Sequence, residues 1–89
     1  MEKWEYGQLF TVRWAEPVFV FQTASNRQVF TAHMLATFDA LGAEGWIVDP
    51  PGQVLFNPPQ WLVDSSRVDS GVAGSPSSWT MQFARRKVA

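Results

Sequence analysis

Arg85-Arg86-Lys87 is the one run of positive charge in this 89-residue chain, and with Arg67 and Arg13 it is the feature best suited to meet an anion. A guanidinium offers forked donors that match a phosphate, and an aromatic face beside it can hold a base. Arg85, Arg86 and Arg67 together with Trp61 and Trp79 therefore form a candidate binding site for a small anionic, nucleotide-like ligand. The competing reading of the same charges is a solvated strand end that discourages edge-to-edge aggregation.

Other chemistry is thinly supplied. His33 is the single histidine, and Asp39, six residues on, falls off its helical face, so no relay of nucleophile, base and acid can be assembled around it by spacing. The eight carboxylates are scattered through elements of different kinds, with no pair spaced for acid and base work and no calcium loop. Gly42 and Gly45 leave a helix where a phosphate cradle would enter one, and Gly71 and Gly74 are followed by no lysine and no apolar helical run. With no cysteine there is neither a disulfide framework nor a thiolate ligand or nucleophile. The residues thus predict no catalytic set, no metal site and no cofactor, and a protein that is not an enzyme.

The elements that must position these residues are legible in part. Lys3 to Trp14 alternates, with Trp4, Tyr6, Phe10, Val12 and Trp14 on one parity, which predicts a half-buried strand. Leu9 breaks the pattern, and Gly7 is a candidate bulge beside it. Val18 to Phe21 is a continuous apolar run beyond a turn at Pro17 and reads as a second strand. Phe30, Met34, Leu35, Phe38 and Leu41 fall at helical spacing and predict one stripe facing a sheet, with Thr31 as a candidate N-cap.

That helix should end at Leu41-Gly42-Ala43-Glu44-Gly45-Trp46, with Gly42 in the positive-φ position, Gly45 turning the chain again and Glu44 accepting freed backbone N–H groups. Trp46 to Val48 follows as a buried strand. The far side of the helix carries Ala32, His33, Ala36, Asp39 and Ala40, too small and too weakly charged for an ordinary solvated face. Ala32, Ala36 and Ala40 are therefore a candidate oligomer face.

The segment 49–78 is a proline-, glycine- and serine-rich excursion. Within it Gln53 to Phe56 could extend the sheet, and 61–68 is either a strand or a short helix capped by Asn57 with Pro58 in its first turn. Ser77 to Val88 alternates and closes the chain as a strand. The fold predicted is α+β, a single domain over 1–89 with one α-helix packed across a mostly antiparallel sheet of four or five strands.

Lys3-Trp4-Glu5-Tyr6, the hinge from Leu41 to Trp46 with Val48, and an aromatic closing strand running into Arg85 resemble the small bacterial and phage proteins grouped as domain-of-unknown-function family 4177. The resemblance implies a strand, helix, strand, strand unit with the helix across an antiparallel sheet, and no established activity. Ile47 stands where that family usually has an acidic residue, and the strand around Phe19 to Phe21 and the long excursion are additions.

Five Trp, seven Phe and one Tyr exceed what a small core needs, so some rings are expected at a partner or ligand surface. The functional expectation is a homo-oligomeric binding protein of phage or bacterial type that holds a small anionic nucleotide-like ligand between subunits. A structural or accessory protein of a virion or other assembly is the alternative, and a single-strand nucleic-acid binder comes third. A net charge of −1 argues against nucleic acid as a general partner, and no apolar window suggests a membrane, so the cytoplasm, a host's if the protein is phage-encoded, is the expected compartment.

Overall fold

The structure is a computed structural model that describes residues 2–14, 16–31, 33–67 and 76–88. Five antiparallel strands form one sheet in the order β3-β2-β1-β5-β4: β1 is Trp4–Arg13, β2 Pro17–Thr23, β3 Arg27–Phe30, β4 Ile47–Val48 and β5 Trp79–Lys87. α1, Met34–Ala43, lies over one face and α2, Gln60–Ser66, over the other. The α+β fold with an antiparallel sheet is as the alternation predicts; the second helix settles 61–68, of which Val68 lies outside the described residues.

Two helices on opposite faces explain why β1 reads imperfectly as half-buried. Leu9, the exception to its parity, is fully buried on the α1 face with Phe19, Phe21, Leu41, Trp46 and Ala84. Phe10, Val12 and Val20 are buried on the α2 face with Leu62, and Trp14, Trp61, Trp79 and Met81 pack around them. A helix over each face gives β1 a buried apolar residue on both parities where the helices reach it. There is no bulge at Gly7, which pairs in unbroken register with Thr23 and Ala84. A glycine is needed there for another reason: a Cβ would stand 2.6 Å from Cζ of Phe21.

α1 keeps the predicted stripe at Phe38 and Leu41 but not before them. Phe30 belongs to β3, a strand the spacing did not reveal, and the helix begins at Met34 with His33, not Thr31, as N-cap; the His33 Nδ1 accepts the Leu35 N–H at 3.3 Å. The buried side runs through Thr37, Phe38 and Leu41; Met34 shares that face but is half exposed at the start of the helix, and Leu35 faces outward. Thr37 tolerates full burial because its hydroxyl donates to the His33 carbonyl at 3.2 Å.

The exit also differs in detail. Gly42 is helical and Gly45 carries the positive φ, +90°. The Trp46 N–H donates to the Leu41 carbonyl at 3.1 Å and the Gly45 N–H to the Gly42 carbonyl at 2.9 Å, a Schellman closure with Gly45 one residue beyond the cap. Leu41 and Trp46, which that closure brings together, both belong to the core. Glu44 caps through its backbone N–H, which donates to the Leu41 carbonyl, and not through its carboxylate. β4 is only two residues long and lies at the sheet edge, so Ile47 is half exposed, not buried.

α2 follows Pro59 as N-cap, with Asn57, the expected cap, held at φ 58°. Trp14 Nε1 donates to Ser66 Oγ at 2.8 Å and an Arg27 Nη donates to Ser65 Oγ at 3.1 Å, tying the helix to the residue after β1 and to β3. The stretch from Gln53 to Phe56 adds one antiparallel bridge, Leu55 to Trp79, in place of a full strand.

Candidate functional site

The five residues expected to share a ligand are not brought together. Arg85 and Arg86 are neighbours on β5 and so project from opposite faces of the sheet. Arg86 lies on the α1 side, where its Nε donates to Glu5 at 2.7 Å, an Nη donates to the Glu44 carbonyl at 3.2 Å, and the guanidinium stands 4.8 Å from the Trp46 ring. The ion pair joins directly opposed residues of β1 and β5 and is about one-third exposed.

Arg67 ends α2 and lies over Trp14 at 5.2 Å. Trp61 meets Phe10 edge-on at 5.2 Å with Arg27 over its ring at 4.7 Å, and Trp79 packs 5.9 Å from Phe10 with its Nε1 buried and without a hydrogen-bond partner among the described residues. Arg85 is six positions along β5 from Trp79, roughly 20 Å. Arginine and tryptophan do meet among the described residues, but in four separate pairs, most of them structural.

The fourth pair is different. Arg85 stands 5.3 Å from the Trp4 ring on the α2 side of the sheet, in a region that α2 does not reach. Seven helical residues span only about 10 Å, against about 33 Å for the ten residues of β1. α2 therefore covers Phe10, Val12, Val20, Trp79 and Met81 and leaves the other half of that face bare. In the bare half Tyr6 is 65% exposed, Phe83 56%, Ile47 52% and Trp4 37%.

The register fixes their arrangement. Arg85 is flanked by Tyr6 on β1 and by Ile47 on β4, Phe83 is opposite Gln8, and Lys87 is opposite Trp4. A shallow depression runs beside them along Tyr6, Gln8, Gln22, Thr23 and Phe83. Sequence reading missed Trp4, Tyr6 and Phe83 as site residues because their parity marks them as core. The available signal was length, since a seven-residue segment cannot cover strands of nine and ten residues.

On the opposite side, a polar pocket of about 110 Å³ is lined by Glu5, Thr23, Asn26, Glu44, Trp46 and Arg86. It has room for a few waters, and Arg86 is already engaged by Glu5 there. The expected oligomer face is exposed at Ala36 and Ala40; Ala32 lies outside the described residues. His33 serves as a cap, and no group of three or more histidine, aspartate or glutamate side chains is gathered as a metal cluster among the described residues.

Comparison with protein-family models, curated proteins and solved structures yields no match, so the likeness to domain-of-unknown-function family 4177 remains a resemblance and function must be argued from the geometry. No helix among the described residues is long and apolar enough to cross a membrane.

Proposed function

We propose that this protein is a non-enzymatic, self-associating binding protein whose copies meet through the outward side of α1. The observation that carries the reading is the composition of that surface. Leu35 is 62% exposed, Ala36, Ala40 and Ala43 are exposed on the side away from Phe38 and Leu41, and Asp39 is the single charged residue among the helix's ten. A helix that faces water ordinarily carries several charges on that side. The alanines allow a second helix to approach closely, and a two-fold arrangement would set Leu35 of each copy against the other.

A ten-residue helix supplies the apolar centre of such an interface but not the roughly 800 Å² per partner of a tight one, so a weak, concentration-dependent dimer is expected. A small anionic ligand held between subunits would draw its arginines and rings from different copies, because one copy spreads Arg85, Arg86, Arg67, Trp61 and Trp79 over both faces of the sheet.

The test is light scattering on a sizing column from about 10 to about 200 micromolar, the range in which a weak dimer dissociates. The parent should rise towards twice its monomer mass, whereas Leu35→Glu and Ala36→Glu should stay monomeric with unchanged circular dichroism. A parent that remains a monomer throughout defeats the proposal.

A further inference from the structure

We propose that the bare half of the α2-side sheet face is a stacking platform for single-stranded nucleic acid. Whatever occupies this surface must satisfy two demands together. It must cover the flat apolar faces of Tyr6, Phe83 and Trp4, and it must bring negative charge to Arg85. The rings lie on β1 and β5, adjacent strands near the middle of the sheet, so they present a continuous surface and not a fringe.

Arg85 sits among them, between Tyr6 and Ile47 across the sheet and between Phe83 and Lys87 along β5, and among the described residues it joins no ion pair. Lys87, about 7 Å further along the same row, is held at 2.9 Å by Glu2 in a largely exposed pair, a contact easily exchanged for a phosphate. The ionisable groups on this half-face are therefore Arg85, Lys87, Glu2 and the Tyr6 phenol, with positive charge in excess.

A second copy of the chain meets the first demand and fails the second. Pressing two such faces together about a two-fold axis would set two Arg85 and two Lys87 against only two Glu2 carboxylates, each already held by a Lys87, so positive charge would be buried in excess. Single-stranded nucleic acid supplies a flat ring and an anion in each unit. Its bases can stack on the rings while Arg85 and Lys87 meet the backbone, which is how sequence-tolerant single-strand binding is built.

A duplex keeps its base faces stacked internally and cannot offer them. A free mononucleotide could use one ring at a time on so open a surface, and one stacking contact is too little for appreciable affinity. The net charge of −1 over the whole chain does not oppose this, because the excess positive charge is local to the platform.

The experiment is fluorescence anisotropy of end-labelled oligo(dT) and oligo(rU) of about ten nucleotides, titrated with the full chain, a length within the usual span of one single-strand site. Binding is expected at micromolar to tens of micromolar in low salt and should weaken as salt rises. Tyr6→Ala and Phe83→Ala should each weaken it roughly 5- to 100-fold, the range set by loss of one stacked base. Tyr6→Phe, which keeps the ring, should bind nearly as the parent does, and Arg85→Ala should weaken binding and flatten its salt dependence.

All three side chains are exposed, and circular dichroism should confirm an unchanged fold. No anisotropy change at about 100 micromolar protein overturns the proposal. So do equal binding of a duplex or of a free mononucleotide, or ring variants that bind like the parent. If Phe83→Ala instead lowers the molar mass, the surface is a protein interface and the assignment is wrong.

Discussion

Gly45 and Gly7 meet backbone demands of different kinds, and Gly42 meets none. At Gly45 the φ of +90° is the αL turn of the helix closure, so a β-branched side chain there is strained although nothing lies within 4 Å of its Cβ position. At Gly7 the φ is unremarkable, but a methyl group would press on Phe21, whose ring is fixed edge-on against Trp46 at 4.8 Å. At Gly42 the backbone is helical and the Cβ position is open. Thermal or denaturant melts should therefore rank the three. Gly45→Val should cost about 1–3 kcal/mol, Gly7→Ala about 1–3 kcal/mol through overpacking, and Gly42→Ala should be neutral or stabilising by up to about 1 kcal/mol. A Gly42→Ala variant less stable than Gly45→Val would reverse the assignment of the turn. The sequence shows a glycine pair around a helix exit; which of the two turns depends on where the last helical hydrogen bond closes, and that is set by Trp46 docking into the core.

At the scale of elements, α2 is a short helix that depends on its anchors. Seven residues are too few for a helix to persist in water by itself. It is held by Leu62 and Val63 in the core and by the hydrogen bond from Trp14 Nε1 to Ser66 Oγ, with the Ser66 hydroxyl donating in turn to the Val63 carbonyl at 3.1 Å. Ser66→Ala would leave the indole N–H unsatisfied beside a buried site, at a cost of about 1–3 kcal/mol. The measurement is amide hydrogen exchange: protection should fall first across 60–66 while β1 and β5 stay protected. Uniform loss over the sheet would show that α2 and the sheet unfold as one unit. The helix character of this segment could not be read from its apolar spacing, because with Trp61, Leu62 and Val63 adjacent a strand and a helical turn look alike; proline at the N-terminal boundary and burial against Phe10 decide it.

For the whole molecule, the sheet separates two surfaces. α1 and its exposed Met34 and Leu35 lie on one side, and Tyr6, Phe83 and Arg85 lie on the other, so the two proposed activities share no side chain. Sites without shared partners behave independently. Leu35→Glu should thus bind oligonucleotide with the parent's affinity per chain, and Phe83→Ala should keep the parent's concentration-dependent mass. If each variant abolished both properties, a single surface would be at work and the separation by the sheet would not hold.

Local pattern determined a good deal here. The alternation of β1 and β5, the helix before Trp46, the glycine exit and the class of fold follow from side-chain periodicity and from the conformations that glycine permits, which are properties of neighbouring residues. Which rings are core and which are bare could not be had that way. Trp4, Tyr6, Phe10 and Val12 share one parity, yet the last two are buried and the first two are not, because α2 reaches only part of the face they share. Arg85 and Arg86 likewise read as one basic run, and the pleat sends them to opposite faces, one to close a helix end over Trp46 and the other to stand beside Trp4. Periodicity assigns a residue to a face; only the packing of distant segments decides how much of that face is covered.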